Sequence, residues 1–239
     1  MCRRAVRTAG LLLIAAGVAF LVWGVAVWQW EDPFTSAYTA YEQRKLDDHY
    51  DEAAAAYDPP AARPTSRPVS LATRRRDVAA AARAYRRSLE RGEALGRLRI
   101  PRLDLDMVVV QGTDEESLKK GPGHYPYSFL PGEHRLVYVA GHRTTYGAPF
   151  SRIDRLRKGD RVMMELPYAT VEYRVTGHRI VPATAIEVLL PGRREVLALQ
   201  ACHPRFFASQ RWIAYATPVK VTPRGGTAFR PVESLAAAA

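Results

Sequence analysis

Between Arg7 and Glu31 the chain carries no charged residue, and Leu11 to Trp30 reads LLLIAAGVAFLVWGVAVWQW, a largely apolar run of 20 residues. A helix needs about 20 such residues to cross a hydrocarbon core of roughly 30 Å. A transmembrane anchor is therefore expected over residues 10–30, and a chain so begun is not a freely diffusing cytosolic domain. Arg3, Arg4 and Arg7 precede the run, and Glu31 and Asp32 follow it. The basic segment 1–9 should stay in the cytoplasm and everything beyond residue 30 should lie outside, in a single-pass arrangement in the cell membrane. Trp23, Trp28 and Trp30 crowd the distal end, where indole rings favour the interface. The competing reading is a cleaved signal peptide ending near Gly24-Val25-Ala26, but an apolar signal region is usually only about 7–15 residues long.

That topology decides what the charge means. The 239 residues carry a formal +11, with Arg far outnumbering Lys, a balance that invites nucleic acid as a partner. An extracytoplasmic domain rarely meets DNA, so no nucleic-acid partner is expected. The only thiols are Cys2 and Cys202, which excludes a disulfide-stapled scaffold and any zinc ribbon or iron–sulfur cluster. No metal and no cofactor are expected.

Residues 31–95 read as an extracytoplasmic stalk. Segment 31–58 has two positive and eight negative residues, and segment 59–95 nine positive and three negative. Tyr38, Tyr41, Leu46, Tyr50, Ala53 and Tyr57 recur at helical steps, and a second helix, rich in Ala and Arg, is expected from about Arg74 to Arg91. Pro59, Pro60, Pro64 and Pro68 should hold the chain between them extended. The helices could pair as a hairpin of opposite charge. Because surface ion pairs stabilise by only about 0–1 kcal/mol, two solvated spacer segments are the preferred expectation.

Past Gly96 the texture changes to short apolar runs divided by Gly, Pro and Asp. Strands are predicted at 97–100, 105–111, 136–140, 161–166, 170–181, 194–201 and 211–221, with short helices at 114–120 and around Phe150, Ile153 and Leu156. Such spacing indicates a mainly β domain over 96–221, a sandwich or a closed barrel. Residues 222–239, ending in an Ala run, read as a flexible tail.

Within that domain Cys202 ends the apolar strand EVLALQAC just before His203-Pro204. A lone thiol at a strand end outside the cytoplasm suggests a nucleophile, although free Cys is more often a small buried hydrophobe. A thiol nucleophile needs a base, since its reference pKa of about 8.5 leaves little thiolate near neutrality. Among six histidines, His142 is best placed, at the end of LVYVAGH and before a loop. His203 adjoins Cys202 and should point to the opposite face. His124, His134 and His178 are most simply surface or structural residues. Arg211, nine positions past Cys202, opens RWIAYA, where a returning loop can bring its guanidinium to the thiol. Taken by itself it reads as one more surface arginine among 30.

With AGHRTTYGAPF around His142, LALQACHPRF around Cys202 and SQRWIAYA around Arg211, the stretch from Gly96 to Val221 resembles the sortase family of cysteine transpeptidases. The phrases GPGHYP, GHRTTYGAPF and ACHPRF are most similar to class E sortases of high-GC Gram-positive bacteria. The resemblance implies a closed barrel of about eight strands with short helices, here preceded by the transmembrane helix and the helical, Pro-rich stalk. It implies that Cys202 attacks the Thr–Gly bond of an LAxTG- or LPxTG-like sorting signal on an exported protein, forming a thioester. His142 would serve as acid and base, and Arg211 would hold the carbonyl and oxyanion. The acceptor would be the amine of a lipid-linked cell-wall precursor. Alternatives are a pilin polymerase and a degenerate module that holds sorting signals without cutting them. Tyr125 falls where class E enzymes read the signal. Ala201 replaces the Thr that the family usually has before its Cys, so a hydroxyl contact to substrate would be missing there. Asp32-Pro33-Phe34 resembles the lid tripeptide of class C sortases, with membrane-interface packing as its plainer explanation.

Overall fold

The structure is a computed structural model that describes residues 2–29, 33–57 and 69–231. The Pro-rich stretch 59–68 and the end of the tail fall outside the described residues, as does Asp32. Helix α1 (Cys2–Gln29) contains a segment, Arg3–Val25, long and apolar enough to cross a membrane, with none of its apolar window buried against the rest of the chain. Helices α2 (Pro33–Ala56), α3 (Leu71–Ser88) and α4 (Glu115–Lys120) join eight strands. These are β1 (Ala94–Ile100), β2 (Leu105–Gln111), β3 (Gly123–His124), β4 (Leu136–Ala140), β5 (Arg161–Leu166), β6 (Ala169–Pro182), β7 (Val196–His203) and β8 (Gln210–Pro223). They close into a barrel in the order β1-β2-β3-β4-β7-β8-β6-β5, as the family resemblance implies.

Alternation along the strands builds two layers. Val137 and Val139 of β4, Leu197, Leu199 and Ala201 of β7, and Leu98, Val109, Val162, Val171 and Tyr173 fill the interior. The intervening Leu136, Tyr138 and Ala198 point outward, yet they are also buried. Segment 183–190, with a 3-10 turn at Ile186–Leu189, roofs them through Val188 and Leu189, and Tyr125 lies against the same patch.

Expectation and structure part at the stalk. Helix α2 is not a solvated spacer: Leu46 and Tyr50 are buried on the outward Val108 and Val110 of β2. The Gln43 amide donates to Val108 O (3.0 Å) and Lys120 O (2.9 Å), while its oxygen accepts from Val108 N (2.8 Å). Helix α3 begins at the N-cap Ser70, whose hydroxyl accepts from Thr73 N. Its Val78 and Ala82 join the interior cluster, its Tyr85 hydroxyl donates to Leu95 O (2.9 Å), and Arg86 pairs with the nearly buried Glu133 at 2.8 Å. It thereby closes the barrel end from which β1 and β4 start. The apolar stripes prevail because burying a Val or Leu stabilises by about 1.5–3 kcal/mol, more than an exposed ion pair. The tail is corrected in part. Phe229 bridges back to Val221 and packs into the interior cluster, so the chain stays docked beyond residue 222.

Candidate active site

Strand register brings three of the named residues together. Parallel strands β4 and β7 pair Leu136 with Val196 through Ala140 with Gln200, and Gly141 N continues the ladder to Gln200 O at 3.0 Å. Each β4 residue thus faces one sixty positions later, and the same offset, carried two steps past Ala140 where the pairing ends, aligns His142 with Cys202. On its other side β7 runs antiparallel to β8, and Cys202 is the direct partner of Arg211. Paired residues project from the same face of a sheet, so Cys202 and Arg211 share the outward face. The nucleophile candidate is therefore the cross-strand partner of an arginine at one end of the barrel, and the β4 offset directs the His142 segment to that same end.

Cys202 is a free, half-buried thiol. His142 is half-buried, with its ring 5.2 Å from Tyr146. Its Nε2 is buried without a hydrogen-bond partner among the described residues, and burial pushes its pKa below the ordinary imidazole value, with Glu115 opposing and Lys119 adding to the shift. The resting ring is thus the neutral form, able to take a proton. Arg211 donates through Nη1 to Ala208 O (2.6 Å) and Gln210 O (2.9 Å). No carboxylate lies within ion-pair range of it among the described residues, so its charge remains available to a ligand.

Arg143, a residue that a surface-loop reading passes over, is buried at the same strand ends. Its Nη1 donates to Cys202 O (3.3 Å) and lies 2.9 Å from His203 Nδ1. Its Nη2 donates to Asp154 at 2.9 Å, and the guanidinium sits 6.0 Å from the Trp212 ring. His178 stacks on the same indole at 4.2 Å. One side chain thus ties the residue after His142 to the carbonyl of Cys202. The loop beyond is strained, with left-handed φ at Tyr146 (53°), Gly147 (65°) and Ala148 (35°). Helix α2 pins it: Thr35 Oγ1 accepts from Tyr146 N at 2.9 Å, and Tyr38 meets the Tyr146 ring edge-on at 6.4 Å.

The remaining named residues separate. Tyr125 lies on the outer apolar patch, its ring 6.2 Å from Tyr138. Ala201 is fully buried inside the barrel, opposite in direction to Cys202, so its side chain faces away from the outer patch. His124 is a structural residue, fully buried between Gln111 Oε1 (2.8 Å) and Phe129 O (3.1 Å), with burial lowering its pKa to about 4. His203 faces Arg143 and not the outer patch. Of the lid-like tripeptide, Phe34 is described, and its ring lies 6.1 Å from Trp23 of α1.

A barrel of this strand order with Cys, His and Arg at adjoining strand ends is the architecture of one group of enzymes. The chain belongs to the sortase family, whose domain matches residues 98–219. A sortase D from Bacillus subtilis is 34% identical over a stretch covering 54% of this chain and 66% of the relative. The sortase SrtE1 of Streptomyces coelicolor is 29% identical, covering 57% of this chain and 44% of that one. The chain thus spans less than two thirds of these relatives. Among solved structures, sortase E from Streptomyces avermitilis matches at 33% identity and TM-score 0.51, over 58% of this chain and 97% of that one. A sortase D5 transpeptidase from Clostridium perfringens superposes with TM-score 0.60 over 75% of this chain and 99% of that one; at 17% identity, this likeness is one of fold.

Proposed function

We propose that the protein is a membrane-anchored cysteine transpeptidase that joins exported proteins bearing a C-terminal LAxTG- or LPxTG-like sorting signal to the amine of a lipid-linked cell-wall precursor. The observation that supports this reading is the register that pairs Cys202 with Arg211 and whose β4 offset, carried past Ala140, aligns His142 with Cys202. Residues 1–9 would be cytoplasmic and 10–30 the anchor, with the outer face beside Tyr125, Tyr138, Val188 and Leu189 receiving the apolar part of the signal.

In the first half-reaction the Cys202 sulfur attacks the Thr carbonyl carbon while His142, neutral because it is buried, takes the thiol proton. The Arg211 guanidinium donates to the oxyanion, an electrostatic role that typically contributes about 3–4 kcal/mol in a dry site. The C–N bond to Gly breaks, His142 returns its proton to the leaving amine, and a thioester remains. In the second half the acceptor amine attacks that thioester, His142 takes the amine proton, and the C–S bond breaks. The new amide leaves and the thiol is reprotonated. Among the described residues no group bonds His142 Nε2, as a proton shuttle requires.

The test is mass spectrometry of the full chain in detergent with LAxTG and LPxTG peptides, with and without an added amine. A mass increase on Cys202 equal to the peptide through Thr, converted by amine to a ligated product, supports the reading. Binding of peptide without an adduct or product would favour the signal-holding module.

A further inference from the structure

The route from the apolar helix to the catalytic end of the barrel is short. Helix α1 ends at Gln29 and α2 begins at Pro33. By Thr35 the chain already bonds the loop that follows His142, and six residues can reach at most about 20 Å. Phe34 keeps its ring against Trp23. Farther along, Thr39 Oγ1 donates to Lys119 O (2.7 Å), Gln43 bonds the β2 backbone, and Leu46 and Tyr50 are buried on β2. Helix α2 is thereby locked to the barrel at several points, with its first turn at the His142 end.

At that same end the β7–β8 loop, residues 204–209, leaves from Cys202 and returns at Arg211. It carries the adjacent Phe206 and Phe207, exposed at 53% and 81%. Neither belongs to any buried cluster, the outer patch included. Arg205 precedes them, its guanidinium 5.8 Å from the Phe206 ring. Aromatic rings at a loop tip with an arginine at their base match the bilayer interface: rings enter the acyl boundary and the guanidinium meets lipid phosphate. The positive chain suits an anionic leaflet.

We infer that the catalytic rim rests on the bilayer surface, with Arg205, Phe206 and Phe207 as a second, interfacial contact beside the nucleophile. The inference rests on α1 being a retained anchor. It makes the site a surface-bound one, open to signals and acceptors that are themselves held in the membrane.

The experiment uses the full chain with Cys2→Ser and Cys202→Ala, reconstituted in nanodiscs of phosphatidylglycerol and phosphatidylcholine containing doxyl-labelled lipid. A bimane is attached at Phe207→Cys or, as the control, at Arg193→Cys in the exposed loop before β7, at the opposite barrel end. The expected result is strong quenching at 207 and little at 193. Equal quenching at both sites, in chains that co-elute with discs, overturns the inference while leaving the anchor intact. Failure to co-elute overturns the anchor and the inference with it. In a second arm the variant Phe206→Ser/Phe207→Ser, with Cys202 intact, should lose about tenfold in kcat/KM toward a lipid-tethered signal peptide and keep its rate toward the soluble peptide. Equal loss toward both would assign the two rings to peptide binding or to contact with a second chain instead.

Discussion

Gly141 precedes His142, and its replacement by Ala tests whether the His142 loop is held by close packing. A Cβ at this position would lie 2.7 Å and 2.9 Å from two ring carbons of Phe150 and 3.1 Å from Pro149 Cγ. Ordinary carbon contacts begin near 3.4 Å, so the ring must retreat by more than half an ångström. Phe150 is fully buried. Its backbone N–H also donates to His142 O at 3.1 Å, so displacement of Phe150 passes to His142. Overpacking of this kind costs about 1–3 kcal/mol, which for a chain of this size lowers Tm by about 4–8 °C at the middle of that range. A misplacement near 1 Å can cost about a hundredfold in rate, so kcat should fall between about tenfold and a hundredfold. Thermal melting and single-turnover acylation measure the two effects. Adding Phe150→Leu should recover part of both, because it removes the clashing ring atoms. Unchanged Tm and unchanged acylation in Gly141→Ala would refute the packing account.

Three further outcomes are expected. Arg143→Met should lower stability by about 2 kcal/mol, since it leaves Cys202 O and His203 Nδ1 unpartnered, and should slow acylation with little change in peptide binding; a variant matching wild type in both melting and acylation would remove Arg143 from its positioning role. Arg211→Lys should cut kcat/KM severely, because an ammonium lacks the planar fork that spans a carbonyl and an oxyanion; near-normal turnover would contradict the oxyanion assignment. His124, with a folded pKa of about 4 against 6.5 unfolded, binds its proton more readily unfolded, so its contribution is complete above pH 6.5 and is lost as pH falls toward 4. Between pH 7 and 5 the loss is about 2 kcal/mol, and His124→Gln should flatten that part of a denaturant-measured stability profile; an unchanged slope would place the proton elsewhere.

The strands were readable because alternation and turn residues leave a local signature. Strand β3 was not, since Gly123–His124 is too short to show any period. The run Val108-Val109-Val110 is buried on both faces, with Val109 turned inward and its neighbours outward beneath α2. The helical stripe through Leu46 and Tyr50 was visible in the sequence. What the sequence did not reveal was that these two surfaces meet, because they lie some sixty residues apart and nothing local in either names the other. Arg143 escaped notice for the same reason. A charged residue in a loop reads as solvated, and its burial depends on Cys202 O, His203 and Asp154 arriving from three other segments. His142, Cys202 and Arg211 stood out because each sits at a strand end in a recognisable phrase.

Ala201 shows the alternation rule applied to one neighbour and overlooked for the other. The period that turns His203 away from Cys202 also turns Ala201 away, and Ala201 is indeed sealed among interior residues, opposite Trp212 on β8. A threonine here would address the barrel interior and not a signal peptide on the outer face. Its effect should therefore come from volume: Ala201→Thr and Ala201→Val should both cost about 1–3 kcal/mol of stability by overpacking and should agree with each other in kcat/KM within about twofold, since they differ in a hydroxyl and not in shape. A direct hydroxyl contact to signal or oxyanion contributes about 0.5–1.5 kcal/mol, which would raise Thr about two- to tenfold above Val. Parallel measurement of melting temperature and peptide acylation in the two variants separates the cases. Thr exceeding Val severalfold in kcat/KM, at equal stability, would mean that position 201 reaches the substrate after all and that its inward placement is wrong.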